Sequence, residues 1–187
     1  MGEIRPLSSR QSRIWLVTGI VLGAILIDQA IKIYIATHYA VGESHEVCSW
    51  FWLCYVENNG MAFGIEWFSK FALTLFRVIA VGLLGWYIDR LIRKPEVPTG
   101  YIATISFIIA GALGNIIDCV CYGKIFQDTG WFLGKVVDMF YFPLIHNSAG
   151  EVIFFRPVFN FADSCITVSV FVILLFYWKQ VNGQETR

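Results

Sequence analysis

Two aspartates in apolar company are the residues of this sequence best placed to do chemistry. Asp138 lies in Gly134-Lys135-Val136-Val137-Asp138-Met139-Phe140, and Asp163 in Phe159-Asn160-Phe161-Ala162-Asp163-Ser164-Cys165. A carboxylate held near hydrocarbon is costly, so it pairs, neutralises or reacts. Two carboxylates sharing a site cannot both ionise easily, and a shared proton leaves one charged and one neutral. The charged member can then activate a water while the neutral one polarises a peptide carbonyl, which is the chemistry of aspartic proteolysis.

Further polar residues stand at helical spacing. Asn115 and Asp118 are three apart, as are Asn160 and Asp163, so each of these Asp is expected to have its own neighbouring amide. Asp28 precedes Lys32 by four positions, the favourable order for a same-face ion pair, and the two read as a structural clamp rather than as catalysts. Arg77 lies within an apolar stretch, where it either snorkels to headgroups or neutralises a carboxylate. Other chemistries lack their residues. His38, His45 and His146 are scattered in or beside loops, Ser164 has no evident activating base, and the zinc H-E-x-x-H, the G-x-S-x-G elbow and a Gly-rich phosphate loop are absent. No metal and no cofactor is expected.

The elements that must position these residues are membrane helices. Of the 187 residues, 57% are hydrophobic and 15% charged, against soluble averages of roughly 45–50% and about 25%. The 14 basic and 14 acidic residues balance to zero net charge, so nothing points to a nucleic-acid partner. Apolar segments at about 14–36, 71–88, 101–117 and 159–178 each approach the roughly 17–25 residues that a spanning helix needs. The first is read as a retained span rather than a cleaved leader, because no small-residue cleavage site follows Ala36. Arg5, Arg10, Arg13, Arg90, Arg93, Lys94, Lys179 and Arg187 collect on one side, which places both termini and the 89–100 loop in the cytoplasm. That loop, with Pro95 and Pro98, is expected to be a solvated connector.

The two outer segments, 37–69 and 119–158, carry aromatic and β-branched runs at 47–56, 135–142 and 152–155, with Asn59-Gly60 as a turn signal. The expected fold is therefore an α-helical integral membrane protein, one domain over 1–187. Four transmembrane helices would carry a small extracytoplasmic β-sheet at the outer membrane surface. Trp50, Trp52, Trp67, Trp131 and Tyr141 suit that interface, as anchors or as a substrate cradle. Cys48, Cys54, Cys119, Cys121 and Cys165 form no zinc or disulfide framework; apolar packing is expected, with a Cys48–Cys54 bridge as the alternative. Gly111, Ala112 and Gly114 read as small residues that let helices approach.

Counting rise along the spans puts Asp28 about 21 Å from Ile14 and Asp118 about 27 Å from Gly100. Asp163 falls in the first turns of the last span, on the same outer side as Asp138. The acids thus gather near one leaflet, which favours a protease over the alternatives of a small transporter or proton-coupled channel and of a structural membrane subunit.

Four ordered blocks then resemble the lipoprotein signal peptidases, or signal peptidase II. They are Asp28-Gln29-x-x-Lys32; Glu57-Asn58-Asn59-Gly60-Met61-Ala62-Phe63; Gly111-Ala112-Leu113-Gly114-Asn115-Ile116-Ile117-Asp118 followed by Gly134-Lys135-Val136-Val137-Asp138; and Phe159-Asn160-Phe161-Ala162-Asp163-Ser164. The resemblance implies an enzyme of the bacterial inner membrane that cuts diacylglyceryl-modified prolipoproteins before the lipidated cysteine. It implies Asp138 and Asp163 as the catalytic pair, with Asn58, Gly60, Asn115, Asp118 and Asn160 as substrate-binding or supporting positions and Asp28 and Lys32 as structural ones. The implied partners are the prolipoprotein and membrane lipids, and a monomer is expected. Two departures stand out. Cys119 follows Asp118 where the family commonly has Arg, and the gap to Gly134 is lengthened by Tyr122 to Phe132. Lys124, Lys135 and Arg77 are the candidates to supply the positive charge.

Overall fold

The computed structural model describes residues 9–59, 70–146, 152–154 and 157–181. Gly60, residues 61–63 of its block, Trp67, Phe155, Arg5 and Arg187 lie outside the described residues.

Long uncharged runs make the helices. α1 spans Ser9–His38, α2 Lys70–Ile92 and α3 Thr99–Ile117. Their lengths and apolar character suffice to cross a membrane. α3 is the central one. It buries Tyr101, Ile102, Ile105, Ile109, Gly111, Gly114 and Asn115 and packs against α1, α2 and a later helix, α5 (Phe161–Phe176). By contrast α1 buries a single stripe, Ala24, Asp28, Lys32 and Ile35, which is one face at helical spacing. Trp15, Leu22 and Leu26 point outward from the opposite side.

α5 is shorter than expected. Its 16 residues rise about 24 Å, less than the roughly 30 Å of a hydrocarbon core. Tyr177 breaks the helix before the short α6, Trp178–Val181. Three long apolar helices, rather than four, are thus present among the described residues.

Close helix approach depends on two glycines. A Cβ at Gly111 would meet the Ala162 carbonyl and stand 2.8 Å from Ile166 Cγ1, and one at Gly114 would stand 2.5 Å from Asp28 Oδ2. At the opposite end, the loop between α2 and α3 is no bare connector. Arg13 donates to the carbonyls of Lys94, Pro95 and Val97 at 2.7, 3.0 and 2.8 Å.

The sheet is antiparallel, with β2 (Phe51–Asn58) between β1 (Ser44–Cys48) and β3 (Val136–Tyr141). The β-rich run at 47–56 spans the turn of a hairpin, which folds at Ser49 and Trp50. β4 (Ile145–His146) and β5 (Val152–Phe154) pair separately. A further bridge joins Phe140 to Phe159, with backbone bonds of 2.8 and 3.1 Å. All five cysteines are free thiols, so the Cys48–Cys54 bridge is absent.

After α3 the chain makes a π-helical turn, Asp118–Tyr122, and a single helical turn, α4 (Gly123–Ile125). The lengthened segment then loops back through Asp128 and Phe132, both in the left-handed region at φ 53° and 65°. It is tied at its ends by Phe132 N–H to Val120 O at 3.0 Å and Gly134 N–H to Cys119 O at 3.0 Å. Gly134 has to be glycine here, since a Cβ would run into the Asp118 carbonyl and stand 2.8 Å from Gly123 N. This loop delivers the chain into β3.

Candidate active site

The ends of α1 and α3 meet β3 and the start of α5 at one point. Asp138 sits on β3, opposite Val56 in register, and is 1% exposed. At the end of β2, Asn58 donates Nδ2 to Asp138 Oδ2 at 2.9 Å. The Phe140–Phe159 bridge brings the next residue, Asn160, against β3, where its Nδ2 donates to Asp138 Oδ1 at 2.7 Å.

Asn160 is also the N-cap of α5. Its backbone is extended, and its Oδ1 accepts the Asp163 N–H at 2.8 Å. In return the Asn160 N–H reaches Asp163 Oδ2 at 3.4 Å, completing a capping box whose acid is Asp163. Such a box satisfies two otherwise orphaned backbone donors, and a carboxylate at a helix start also meets the positive end of the helix dipole. Asn160 therefore joins both aspartates, one through its amide and the other through its backbone.

Asn115 completes the pair from α3. Its Nδ2 donates to Asp163 Oδ1 at 2.8 Å, while its Oδ1 accepts from Asn160 Nδ2 at 3.1 Å and from Lys32 Nζ at 2.9 Å. Lys32 is fully buried and its ammonium also pairs with Asp28 Oδ2 at 2.9 Å and Asp118 Oδ2 at 2.7 Å. Gln29 adds Nε2 contacts of 3.0 Å to Asp118 Oδ1 and to Asp28, and its Oε1 accepts from the Tyr122 hydroxyl at 3.0 Å. This cluster holds the dyad's supports. Asp28 Oδ1 accepts the Ala162 N–H at 3.0 Å, and Asp118 Oδ2 lies 3.3 Å from the Val137 N–H, one residue before Asp138.

Burial pushes the Asp138 carboxyl up from an ordinary 3.8 to about 7. The Asn58 and Asn160 donors and Lys32 oppose that rise, and the neighbouring Asp163 charge reinforces it. One carboxyl that keeps its proton near neutrality thus stands beside another that receives hydrogen-bond donors and a helix N-terminus. That arrangement can share a proton and act on a carbonyl and a water together. Among the described residues no group of three or more His, Cys, Asp or Glu is arranged to hold a metal ion.

Residues 20–179 match the family described as Signal peptidase (SPase) II. The chain belongs to the signal peptidase II family. A lipoprotein signal peptidase of Porphyromonas gingivalis is 41% identical to it, over 89% of this chain and 84% of the relative. One of Amoebophilus asiaticus is 33% identical, over 87% and 78%. Among solved structures, a bacterial membrane enzyme superimposes with a TM-score of 0.69 at 27% identity, covering 91% of this chain and 92% of that one. The three long helices are thus those of a bacterial membrane protein.

In this signal peptidase II chain the amides are wired differently from their sequence spacing. Asn115 serves Asp163 rather than Asp118, and Asn160 gives its NH2 to Asp138 while also capping Asp163. Asp118 instead belongs with Asp28 in the grip on Lys32. Nor does Arg77 neutralise a carboxylate in the bond it makes across to the π-helical turn, where it donates to Cys119 Sγ at 3.0 Å. Lys135 pairs with Glu57 at 2.8 Å and Lys124 is exposed, so Lys32 is the ammonium linked to the dyad. Gln29 and Tyr122 carry no expectation from sequence, although Gln29 stands inside the first conserved-looking block and Tyr122 opens the lengthened segment.

Proposed function

We propose that this protein is an aspartic endopeptidase that removes the signal peptide from diacylglyceryl-modified prolipoproteins, cutting before the lipidated cysteine. The observation that carries this reading is the joining of Asp138 and Asp163 through Asn160. The substrate class follows from the relatives, which are lipoprotein signal peptidases.

In the reaction Asp163 is the ionised member and Asp138 the protonated one. Asp163 takes a proton from water, whose oxygen attacks the scissile carbonyl carbon, while Asp138 gives its proton to the carbonyl oxygen. The resulting gem-diol collapses as Asp163 passes its proton to the leaving nitrogen and Asp138 recovers one from a hydroxyl. The products are a signal peptide ending in a carboxylic acid and a lipidated cysteine with a free amine. The dyad regains its single shared proton. Asn58, Asn115 and Asn160 hold the carboxyl oxygens, and Asp118 with Val137 sets the height of β3. Gly60 is a substrate-binding or supporting position by the family resemblance alone.

The chain is one membrane domain of the bacterial inner membrane, acting as a monomer without a cofactor. Beyond the break at Tyr177, α6 carries the chain on to Val181, and α5 and α6 together make the fourth span. Arg10, Arg13, Arg90, Arg93, Lys94 and Lys179 favour cytoplasmic termini, which puts the dyad near the outer leaflet.

The test is incubation of purified protein with a diacylglyceryl-modified precursor, with products followed by mass. Asp138→Asn and Asp163→Asn should each lose about 100-fold or more in turnover while keeping the fold, as expected when a general acid or base is removed. Near-normal cleavage by either variant refutes the assignment.

A further inference from the structure

We infer that Lys32 is a positioning residue for the dyad, acting through Asn115: its ammonium fixes which way the Asn115 amide faces, and so secures a donor for Asp163. The inference rests on the aspartic reading above and adds a residue to it.

An ammonium has three hydrogens and no acceptor. Lys32 meets three oxygens, Asp28 Oδ2, Asp118 Oδ2 and Asn115 Oδ1, at 2.9, 2.7 and 2.9 Å. The Asn115 atom turned to Lys32 must therefore be its oxygen, which leaves its NH2 for Asp163 Oδ1 at 2.8 Å. Asn160 agrees with this orientation. Its NH2 divides between Asn115 Oδ1 and Asp138 Oδ1, and its own oxygen is held by the Asp163 N–H. Reversing Asn115 would set an NH2 against an ammonium and against a second NH2, and an oxygen against a carboxylate. The whole chain of donors thus runs one way, from a buried charge to the dyad.

Three further features make this more than a brace. Lys32 is 0% exposed, and removing one member of a buried ion cluster leaves charge uncompensated. Clamping Asp28 to Asp118 alone would need two of its hydrogens; the third is spent on Asn115. Charged and titratable groups face the dyad from each element around it: Asp28 and Lys32 on α1, Asp118 at the end of α3, and Asp138 and Asp163 themselves. Glu57 on β2 is paired with Lys135, and on α2 Arg77 donates to Cys119. Lys32 is joined to Asp163 by an unbroken route of donors through Asn115.

Lys32→Met alone would bury two carboxylates without their cation, so the informative variant is Lys32→Met with Asp118→Asn, which conserves the net charge of the cluster. Asn115→Leu is the second variant: it keeps Asp28, Lys32 and Asp118 and cuts the route. Cleavage of a diacylglyceryl-modified precursor is followed from pH 4 to 9, alongside thermal unfolding in the same detergent. Both variants should fold and should move the acidic limb of the pH–kcat profile upward by about one pH unit, the worth of one lost hydrogen bond to a charged group. A wild-type acidic limb in either folded variant overturns the inference. If the double variant does not fold, Asn115→Leu decides alone. Absence of cleavage by the wild-type protein, or its survival in Asp163→Asn, strikes the aspartic reading and this inference with it; a bell-shaped wild-type profile with unmoved variants strikes the inference only.

Discussion

Asp138 makes a stability prediction that is separate from its proposed role in cleavage. Its carboxyl is pushed up from 3.8 to about 7 by burial first and by the charge of Asp163 next. Below about pH 4 the group is protonated in both the folded and the unfolded chain and has no effect on their balance. As pH rises only the unfolded chain releases the proton, so stability present at low pH is lost progressively up to about pH 7. With about 1.4 kcal/mol for each unit, a rise of about 3 units opposes folding by about 4 kcal/mol at pH 7 and above.

Asp138→Asn removes that dependence. The new NH2 faces either Asn58 Nδ2 or Asn160 Nδ2, both donors, which costs about 1–3 kcal/mol, but this cost is the same at every pH. The measurement is therefore the difference between variant and wild-type unfolding temperatures in detergent at pH 4 and at pH 8. It should grow in the variant's favour by about 8–16 °C, taking 2–4 °C per kcal/mol for a chain of this size. Running Asp163→Asn alongside separates the coupled share of the second carboxyl. A difference that stays constant from pH 4 to pH 8 refutes the reasoning, because Asp138 would then titrate alike in both states.

Asn58→Leu removes a donor that holds the Asp138 carboxylate down, so the basic limb of the pH–kcat profile should move upward by about one unit; a downward move would contradict the geometry. Gly114→Val places side-chain atoms where Asp28 Oδ2 already stands, which should destabilise the fold by about 1–3 kcal/mol and lower the unfolding temperature. Arg13→Ala frees the carbonyls of Lys94, Pro95 and Val97 and should cost about 1–2 kcal/mol, with faster proteolysis of the α2–α3 loop as the readout.

What the sequence makes legible here is whatever one helix or one motif decides alone. Asp28 and Lys32 lie on one helical face whatever α1 packs against, so their ion pair is readable from spacing. Long uncharged runs likewise announce α1, α2 and α3. The wiring of the amides is not readable that way, because Asn115 reaches Asp163 only through the packing of α3 on α5, and that packing depends on Gly111 meeting the Ala162 carbonyl. The hairpin at Ser49 and Trp50 escapes because only Ser49 is a turn former, and Cys48, Phe51 and Trp52 beside the turn are apolar. Arg13 is legible as a basic residue flanking the first span but not as the tie of the α2–α3 loop, since its partners are backbone carbonyls more than 80 residues away. α5 ends at Phe176, two residues before the apolar segment does at Trp178, so hydrophobicity alone overstates the helix.

The capping of α5 by Asn160 and Asp163 also bears on when the protein becomes active during its own synthesis. Asp28, Lys32, Asn58, Asn115, Asp118 and Asp138 all leave the ribosome before the first turn of α5 is made. Until that turn forms, Asp138 lacks the Asn160 amide, Phe140 lacks its partner strand residue, and the second acid has no fixed place. The same few bonds that start the helix assemble the pair of acids. On the proposed aspartic mechanism, a nascent chain is therefore inert as a peptidase through most of its insertion, and it acquires its reactive geometry in the step that closes the bundle.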